Sequence, residues 1–421
     1  MNNKPTLIKY SDTDSNTIAH YYDYAVAITK IKEILLKKFG HDFKLFSSEE
    51  GIEEVFNTIE QILEKKETDV EVVASIYDTV GTFNISYTDG EGFSVTPSLA
   101  NNIFYFSNYE VAIVRIPIYQ SHSDYIQEFV FARDQELLLD FLNYILEKQR
   151  NYMLDGINVL TDTEDGIERS KEQITNQIKR EDILLEEDVK TDIYRSIDEF
   201  FHKSGTFFKK YNIPYRRGIL LYGSPGNGKT TLVKSIAGSV SAPVVYWQIT
   251  EYTTSYSIKE VFSTVTKIAP MILIIEDIDS MPDHARSVFL NTLDGATSKE
   301  GVFLIGTTNY PEKIDPALIN RAGRFDRAYE IKQPDDTLRS EYLRKKGLTQ
   351  FLDEVMLDHL TTQTKGLSIA QLNELYMSVA LQWHYEQQID VDKIVKDLQE
   401  NQRRTIRQDW ETEEYAGRMG F

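Results

Sequence analysis

The sequence contains no cysteine among its 421 residues. Disulfide bonds, thiolate chemistry and cysteine-built metal sites are therefore excluded. Basic residues are in the minority, with 46 lysines and arginines against 66 aspartates and glutamates and a formal net charge of −20. Non-specific nucleic-acid binding depends on positive charge that neutralises phosphates, so this balance disfavours nucleic acid as a partner.

Long hydrophobic runs are also missing. No apolar stretch approaches the roughly 20 residues of a membrane-spanning helix, and the opening residues Met1–Pro5 lack the apolar core of a signal peptide. We therefore expect a soluble, cytoplasmic protein without a membrane span. The length of 421 residues and the hydrophobic content of 41% predict two or three globular domains.

The segment Gly223–Thr230 reads Gly-Ser-Pro-Gly-Asn-Gly-Lys-Thr. It lies between an apolar run and a helical pattern, which is the strand–loop–helix context of a phosphate-binding P-loop. Glycines let backbone N–H groups turn towards phosphate oxygens, and the helix N-terminus adds its positive dipole end. We expect Lys229 to reach the β- and γ-phosphates and the Thr230 hydroxyl to bind Mg²⁺. The predicted nucleotide-binding residues are Gly223, Ser224, Pro225, Gly226, Asn227, Gly228, Lys229, Thr230 and Thr231.

Two more apolar runs end in polar residues. The run 271–275 leads to Glu276 and Asp277, and the run 302–306 leads to Asn309. Ligands of open α/β sheets lie at the carboxyl ends of the strands. Hydrolysis of ATP requires one carboxylate on the Mg²⁺ side and one group that orients the attacking water. We expect Asn309 to hydrogen-bond that water or the γ-phosphate from the opposite side.

Arg321 and Arg324 are three residues apart in the segment after Asn309. Two guanidinium groups at this spacing can donate to one anion and stabilise charge that develops on a transferring phosphoryl group.

These motifs together resemble the AAA branch of the AAA+ ATPases over residues from about 183 to 407. The matching segments are Gly223–Thr230 (Walker A), Ile272–Asp277 (Walker B), Thr307–Asn309 (sensor 1) and Ile314–Arg327 (second region of homology). Finer details are similar to the mitochondrial inner-membrane AAA chaperones that translocate the folded Rieske protein. These details are Asn212–Gly218, the order Glu276-Asp277 and Ser368–Leu372.

The resemblance implies an α/β fold in which a P-loop NTPase parallel sheet forms the AAA+ large subdomain and a helical lid follows it. It also implies ATP and Mg²⁺ as cofactors, with Glu276 and Thr230 on the metal side and Asp277 at the water-activating position. Arg321 and Arg324 match arginine fingers, which act on ATP bound by a neighbouring subunit. The resemblance therefore also implies a homo-oligomeric ring, commonly of six or seven subunits. Arg324→Ala is accordingly expected to abolish hydrolysis and to leave ATP binding nearly intact.

Two features depart from the family pattern. Asp277 is one methylene shorter than the glutamate that most members carry, which favours slow turnover. The segment 250–257 lacks the usual aromatic-apolar-glycine pore loop, for which Tyr252 or Tyr256 could substitute. The first 150 residues do not obviously resemble the middle domain of the Rieske-translocating chaperones, so no substrate follows from the resemblance.

The domain organisation follows from changes of pattern along the chain. Helical spacing over 17–39 and 48–66 precedes strands rich in Val, Ile, Phe and Tyr and a helix over 134–150. The predicted parts are an N-terminal α+β substrate or adaptor domain (1–150), a charged linker (151–182), the α/β ATPase subdomain (183–334), a helical lid (335–408) and a tail (409–421). Within the linker, the sequence also indicates strands or a short hairpin near 156–161.

The sequence thus predicts a ring-forming ATPase with a chaperone-like role, which couples ATP hydrolysis to remodelling or translocation of a protein substrate bound by residues 1–150. One alternative is a nucleotide-gated assembly or regulatory ring with slow hydrolysis, which the shorter Asp277 motivates. The other is a nucleic-acid motor or loader, for which the sequence offers only Arg403, Arg404 and Arg407 as a dense basic run.

Overall fold

The computed structural model describes residues 6–8, 24–47, 53–65, 70–88, 92–120, 123–154, 156–172, 178–294, 300–319 and 324–407. The chain divides into two compact units, Met1–Asn151 and Tyr152–Phe421. The predicted arginine Arg321, the predicted helix residues 17–23 and the tail 409–421 lie outside the described residues.

The first unit combines strands with three helices in its described part. The elements are β1 (Thr6–Ile8), α1 (Tyr24–Phe39), β2 (Lys44–Phe46), α2 (Glu53–Glu64), β3 (Val70–Tyr77), β4 (Phe83–Thr88), β5 (Gly92–Pro97), β6 (Asn102–Phe106), β7 (Val111–Gln120), β8 (Ser123–Ala132) and α3 (Gln135–Leu154). Six strands form a sheet in the order β1-β3-β6-β7-β8-β2, antiparallel except for the β1–β3 pair.

The apolar stripe of α1 forms part of the core of this unit. Ala27, Ile31 and Leu35 recur every four residues on one side of the helix, and all three are fully buried. They pack in a cluster that includes Ile103 and Val114 from the sheet. The helical spacing in the sequence therefore marks the face of α1 that contributes to this core.

Strands β4 and β5 form a separate two-stranded antiparallel hairpin. Two buried asparagines hold its base. Asn101 donates from Nδ2 to the carbonyls of Tyr77 and Val80 at 2.9 and 2.8 Å. Asn102 donates to the carbonyls of Thr82 and Ser98 at 3.0 and 2.8 Å. These bonds fix both ends of the hairpin to the beginning of β6.

The second unit contains a seven-stranded sheet and nine helices in its described part. The elements are β9 (Ile157–Thr163), β10 (Gly166–Glu172), α4 (Glu187–Phe201), α5 (Thr206–Lys210), β11 (Arg217–Tyr222), α6 (Lys229–Ser239), β12 (Val244–Gln248), α7 (Ser255–Lys267), β13 (Met271–Glu276), α8 (Asp283–Asp294), β14 (Val302–Thr308), β15 (Arg327–Glu330), α9 (Asp336–Lys346), α10 (Glu354–Gln363), α11 (Ile369–Glu386) and α12 (Val391–Arg407).

The sheet has the order β10-β9-β12-β13-β14-β11-β15, and every neighbouring pair is parallel except β10–β9. Its central strands are buried on both faces, as continuous apolar runs such as Met271–Ile275 predict. One face packs against α4 and α6, and the other packs against α7 and α8. The fold is therefore α/β with a parallel sheet, as expected from the sequence.

The segment 151–182, predicted as a linker, contributes β9 and β10 to this sheet. Strand β9 pairs in parallel with β12, and Asn158 to Thr161 align with Val245 to Gln248. The edge strand β10 exposes polar residues such as Glu168 and Lys171, which is how sheet edges avoid pairing with other chains. Polar edge strands and linkers have similar compositions, and β9 lies where the sequence indicates strands or a short hairpin near 156–161.

A buried carboxylate joins β9 to the adjoining part of the sheet. Asp162 is 2% exposed, and its Oδ2 accepts from Trp247 Nε1 at 3.0 Å and from Thr253 Oγ1 at 2.5 Å. The carbonyl of Asp162 also accepts from Thr250 Oγ1 at 2.7 Å. The segment after β12 is therefore bonded to β9 at several points.

Replacing Asp162 with alanine is expected to destabilise the second unit by about 2 kcal/mol or more, because the buried indole N–H and the Thr253 hydroxyl lose their acceptor. Urea titration followed by tryptophan fluorescence measures this change. Asp165→Ala, an exposed position two residues beyond β9, is the matched control and should change stability by less than about 0.5 kcal/mol. Equal midpoints for the two variants would contradict the role given to Asp162.

Helices α9 to α12 pack around their own cluster, which includes Leu343, Leu357, Leu372 and Val379. All four lie within the helical lid predicted over residues 335–408. Ser368 caps α11 by accepting from the amide of Gln371 at 3.3 Å. Among the described residues, no helix is both long and apolar enough to cross a membrane.

Candidate active site

The glycine loop connects the buried strand β11 to helix α6. Gly223, Gly226 and Gly228 have φ values of 140°, 80° and 92°, a region that side chains with a Cβ rarely adopt. A Cβ on Gly223 would also lie 2.4 Å from the carbonyl oxygen of Ile331. The backbone can therefore follow this path only with glycine, and α6 begins directly at Lys229.

Lys229 is the basic residue of the glycine loop, and it is buried. Only 7% of it is exposed, and its Nζ donates to the carbonyls of Gly223 and Ser224 at 2.6 and 3.1 Å. Burial lowers the pKa of this amine, while the negative charges of Asp277 and Asp279 oppose the shift. The ammonium group therefore lies against the loop backbone and close to the acids at the end of β13.

Glu276 is the last residue of β13, and Asp277 follows it with φ 50° and ψ 50°. This left-handed conformation is uncommon for a residue other than glycine. The amide of Asp277 donates to Thr307 Oγ1 at 3.2 Å, and Asn309 Nδ2 lies 3.5 Å from Asp277 Oδ1. The ends of β13 and β14 thus bring the acid pair and Asn309 together, although these residues are about 30 positions apart.

The carboxyl of Asp277 is partly desolvated. Burial raises the pKa of Asp277, the neighbouring Asp279 raises it further, and Lys229 acts in the opposite direction. Asp279 in turn accepts from Thr308 Oγ1 at 2.6 Å. Sequence analysis did not single out Asp279, although it lies two residues after Asp277 in a turn that follows a strand.

These side chains line one cleft of about 770 Å³. Its lining includes Pro225 to Thr231, Glu276, Asp277 and Asn309, so most of the predicted site residues are brought together. Gly223 and Ser224 are not among the lining residues and contribute the carbonyls that hold Lys229. The volume falls within the range of small-molecule and nucleotide sites, which is about 300 to 1,000 Å³.

The lid supplies part of the wall, with residues that were not predicted from the sequence. Tyr342, Lys345 and Lys346 from α9 and Asn373 from α11 line the cleft, together with residues of the segment 178–185. Lys345 forms an ion pair with Asp182 of that segment at 3.5 Å. The Lys-Lys pair before Gly347 was the available signal, but basic residues are common at helix C-termini for other reasons.

The lid also contacts the glycine loop through the backbone. The amide of Ala370, in the first turn of α11, donates to the carbonyl of Gly226 at 2.9 Å. A Cβ on Gly226 would lie 2.9 Å from Ser368 Oγ and 3.1 Å from the Ala370 Cβ. The lid helix therefore fits against the loop only because residue 226 is glycine.

The donor set fits a nucleotide with Mg²⁺. Asn227 is 2% exposed, and neither polar atom of its side chain has a hydrogen-bond partner among the described residues. No group of three or more His, Cys, Asp or Glu that could hold a metal occurs in the described part of the chain. Thr230 and Glu276 would be the protein ligands of a bound Mg²⁺. Mg²⁺ commonly binds in this way, through one or two protein oxygens together with phosphate oxygens and water.

Arg324 is not among the residues that line this cleft. It is 3% exposed, and its guanidinium makes a bidentate pair with Asp294, with Nε to Oδ1 at 2.8 Å and Nη2 to Oδ2 at 2.6 Å. Its Nη1 donates to the carbonyl of Ala317. All three nitrogens are thus engaged within the chain, and a role of Arg324 in a neighbouring subunit's site stays a prediction.

The candidate pore tyrosines are exposed side chains beside β12. Tyr252 is 45% exposed and Tyr256 is 74% exposed. Tyr252 lies in a turn that the Thr250 and Thr253 hydroxyls close against Asp162, and Tyr256 is in the first turn of α7. The backbone that carries Tyr252 is therefore held by β9.

Comparison with known proteins identifies a family for the ATPase unit. Residues 219–333 match the ATPase family associated with various cellular activities (AAA). The chain is 32% identical over 222 residues to the ATP-dependent zinc metalloprotease FtsH 2 of Bdellovibrio bacteriovorus, covering 47% of this chain and 36% of that protein. It is 33% identical over 223 residues to Protein SAV of Sulfolobus acidocaldarius, covering 49% and 28%.

A third relative is the ATP-dependent zinc metalloprotease FtsH of Endomicrobium trichonymphae, which is 36% identical over 202 residues, covering 43% of this chain and 32% of that protein. The matched part thus spans about a third of the length of these curated relatives. The matched region contains the glycine loop, the acid pair and Asn309, which the fold gathers around one cleft. Residues 219–333 of this chain therefore resemble the ATPase domain of the AAA family.

Proposed function

We propose that this chain assembles into a homo-oligomeric ring and couples ATP hydrolysis to the remodelling or translocation of a protein substrate that its first unit selects. The observation that carries the proposal is the cleft in which Lys229, the acid pair, Asn309 and the lid residues converge. A site closed by a lid that contacts the glycine loop can transmit the state of the nucleotide to the rest of the unit.

The residues of the cleft that were predicted from the sequence have separate roles in this proposal. The ammonium of Lys229 leaves its loop carbonyls and neutralises phosphate charge. Asp277 orients the attacking water and accepts its proton, and Asn309, 3.5 Å from Asp277, holds the same water in place. Bound Mg²⁺, held by Thr230 and Glu276, would neutralise the charge that develops on the phosphate oxygens.

A guanidinium from the neighbouring subunit completes the site in this proposal. Since Arg324 is buried against Asp294, we assign this role to Arg321 and assign Arg324 to positioning the segment that carries it. The finer resemblance to the Rieske-translocating chaperones, through 212–218, the order Glu276-Asp277 and 368–372, stays a prediction about the branch of the family.

The test is steady-state ATPase activity together with a substrate trap. The wild-type chain should hydrolyse ATP under ring-forming conditions, and the double variant Glu276→Gln, Asp277→Asn should bind ATP without hydrolysing it and retain substrate in a pull-down. Both replacements preserve side-chain size, so lost turnover is not explained by repacking. Undetectable wild-type turnover would contradict the motor function.

The second candidate is a nucleotide-gated assembly ring with slow hydrolysis. The observations that favour it are the short, partly desolvated Asp277 and the bonds that tie the segment after β12 to Asp162. Asp277→Glu separates the two functions. In a gating ring, the rate of ATP hydrolysis should rise, because the longer side chain brings the carboxylate nearer to the attacking water. In a motor whose site is already adapted to aspartate, the rate should fall.

A further inference from the structure

The hairpin β4–β5 presents an apolar face to solvent. Its cross-strand pairs are Phe83 with Pro97, Ile85 with Val95 and Tyr87 with Phe93, which alternation places on one side of the two strands. The five larger side chains are between 62% exposed, at Tyr87, and 80% exposed, at Phe93. The ring centroids of Tyr87 and Phe93 are 5.1 Å apart. The alternate positions carry Asn, Ser and Thr.

This exposure differs from that of the scattered apolar residues elsewhere on the unit. Single exposed residues such as Ile126 and Leu139 are ordinary on protein surfaces. A contiguous apolar cluster on a monomer commonly marks an interaction site. An isolated two-stranded hairpin is marginally stable in water, so a hairpin whose larger apolar side chains face outward gains its stability from its anchored base and from whatever covers that face.

The base of the hairpin is built to hold it in place. Asn101 is fully buried with φ 66°, and its side chain bonds Tyr77 through both the amide and the carbonyl. Asn102 bridges Thr82 and Ser98, the residues on either side of the hairpin. A docking surface presented from a fixed base loses little conformational entropy when it binds.

The dimensions of the face suit one helix. Two strands about 5 Å apart give a face roughly 10 Å wide, and six residues span about 20 Å. An α-helix is about 10 Å across, and roughly 13 of its residues cover 20 Å. A single amphipathic helix therefore matches the exposed face in both width and length.

The charge of the first unit favours one class of binding partner for the hairpin face over the others. The first unit carries 13 lysines and arginines against 24 aspartates and glutamates, and residues 83–97 contain Asp89 and Glu91 but no basic residue. A second copy of this acidic unit and an anionic membrane would both be repelled. A helix with basic residues bordering its apolar stripe would be attracted.

We propose that the β4–β5 hairpin is the docking surface for an amphipathic protein helix whose aliphatic or aromatic stripe is bordered by lysine and arginine. The inference rests on the proposed function, because it names the surface and the class of segment through which the first unit selects a substrate. The apolar stripe covers Ile85 and Phe93, and the net negative charge of the first unit attracts the basic borders.

The experiment measures binding of a fluorescent amphipathic peptide, with leucines on one face and lysines on its borders, to the full chain by anisotropy. The double variant Ile85→Thr, Phe93→Thr should weaken binding by about tenfold or more, as loss of buried anchors does. Ile126→Thr on β8 makes the same change at another exposed strand position and should bind as the wild type does. Threonine keeps the strand preference in all three places.

Peptide controls separate apolar docking from simple charge attraction. Exchanging the leucines for glutamine, or the lysines for glutamate, should each abolish binding. Equal affinity of the hairpin variant and the wild type overturns the proposal, as does equal affinity for the leucine and glutamine peptides. Hairpin-dependent binding to phosphatidylserine vesicles, or self-association lost in the hairpin variant, would assign the face to a membrane or a second copy instead and would also overturn it.

The result is independent of the ATPase. The peptide assay contains no nucleotide, and basal ATP hydrolysis of the hairpin variant is measured in parallel and should equal that of the wild type. A wild-type chain that binds the peptide but does not hydrolyse ATP contradicts the proposed function alone. A chain that hydrolyses ATP and shows no hairpin-dependent peptide binding contradicts the docking surface alone.

Discussion

Replacing Lys229 with alanine is expected to lower ATP turnover by about 10²- to 10³-fold, the loss typical of removing one charge-stabilising donor from an enclosed site. Lys229 is 7% exposed, and its amine donates to loop carbonyls close to the acids at the end of β13. No other lysine lies on the glycine loop, so the phosphate charge would stay uncompensated there. Steady-state hydrolysis and binding of a fluorescent ATP analogue measure the change.

The matched control for this variant lies on the same helix. Lys234 is exposed one turn further along α6, so Lys234→Ala removes the same side chain away from the cleft and should leave turnover within about twofold of the wild type. If Lys229→Ala retained a tenth or more of the wild-type rate while Lys234→Ala was unaffected, phosphate neutralisation by Lys229 would be ruled out.

Arg324→Ala is expected to destabilise the ATPase unit by about 1.5 to 3 kcal/mol, because hydrogen bonds of a buried guanidinium to a carboxylate are lost while Asp294, a third exposed, stays solvated. The guanidinium is 3% exposed and forms two bonds of 2.6 and 2.8 Å to Asp294. Urea unfolding of both single variants and of the double variant with Asp294→Ala should give a coupling energy of at least about 1 kcal/mol.

Arg327 offers the comparison for this change. It lies three residues away, and its ion pair with Asp192 at 3.2 Å is exposed, so Arg327→Ala should cost less than about 1 kcal/mol. A different outcome would restore the expectation from the sequence. If Arg324→Ala kept wild-type stability and ATP affinity but lost hydrolysis, its guanidinium would act on a neighbouring site after all.

The parts of the site that were predictable are those in which chain order determines spatial order. A glycine loop of this sequence between a strand and a helix predicts one local structure, the phosphate-binding loop. Polar residues that follow buried parallel strands meet at the same edge of the sheet, which is why Asp277 and Asn309 could be paired from the sequence. The lid helices were predictable because their apolar spacing and caps are local signals, such as Ser368 before α11.

The parts that were not predictable depend on distant partners. The composition of β9 and β10 does not reveal that β9 pairs with β12, because an edge strand and a linker are equally polar. The sequence spacing of Arg321 and Arg324 carries no information about Asp294, which takes up the second arginine from 30 residues away. The outward apolar face of β4–β5 was missed because alternation predicts a strand but not which face is covered.

The contact between the lid and the glycine loop makes one backbone amide a natural reporter. The N–H of Ala370 is bonded to the Gly226 carbonyl, so it is shielded while the lid stays against the loop. Opening of the lid breaks this bond, and the amide then exchanges its hydrogen with water at a rate set by the free energy of that local opening. The exchange rate of this one amide therefore reports the equilibrium between the open and the closed cleft, and no label has to be attached.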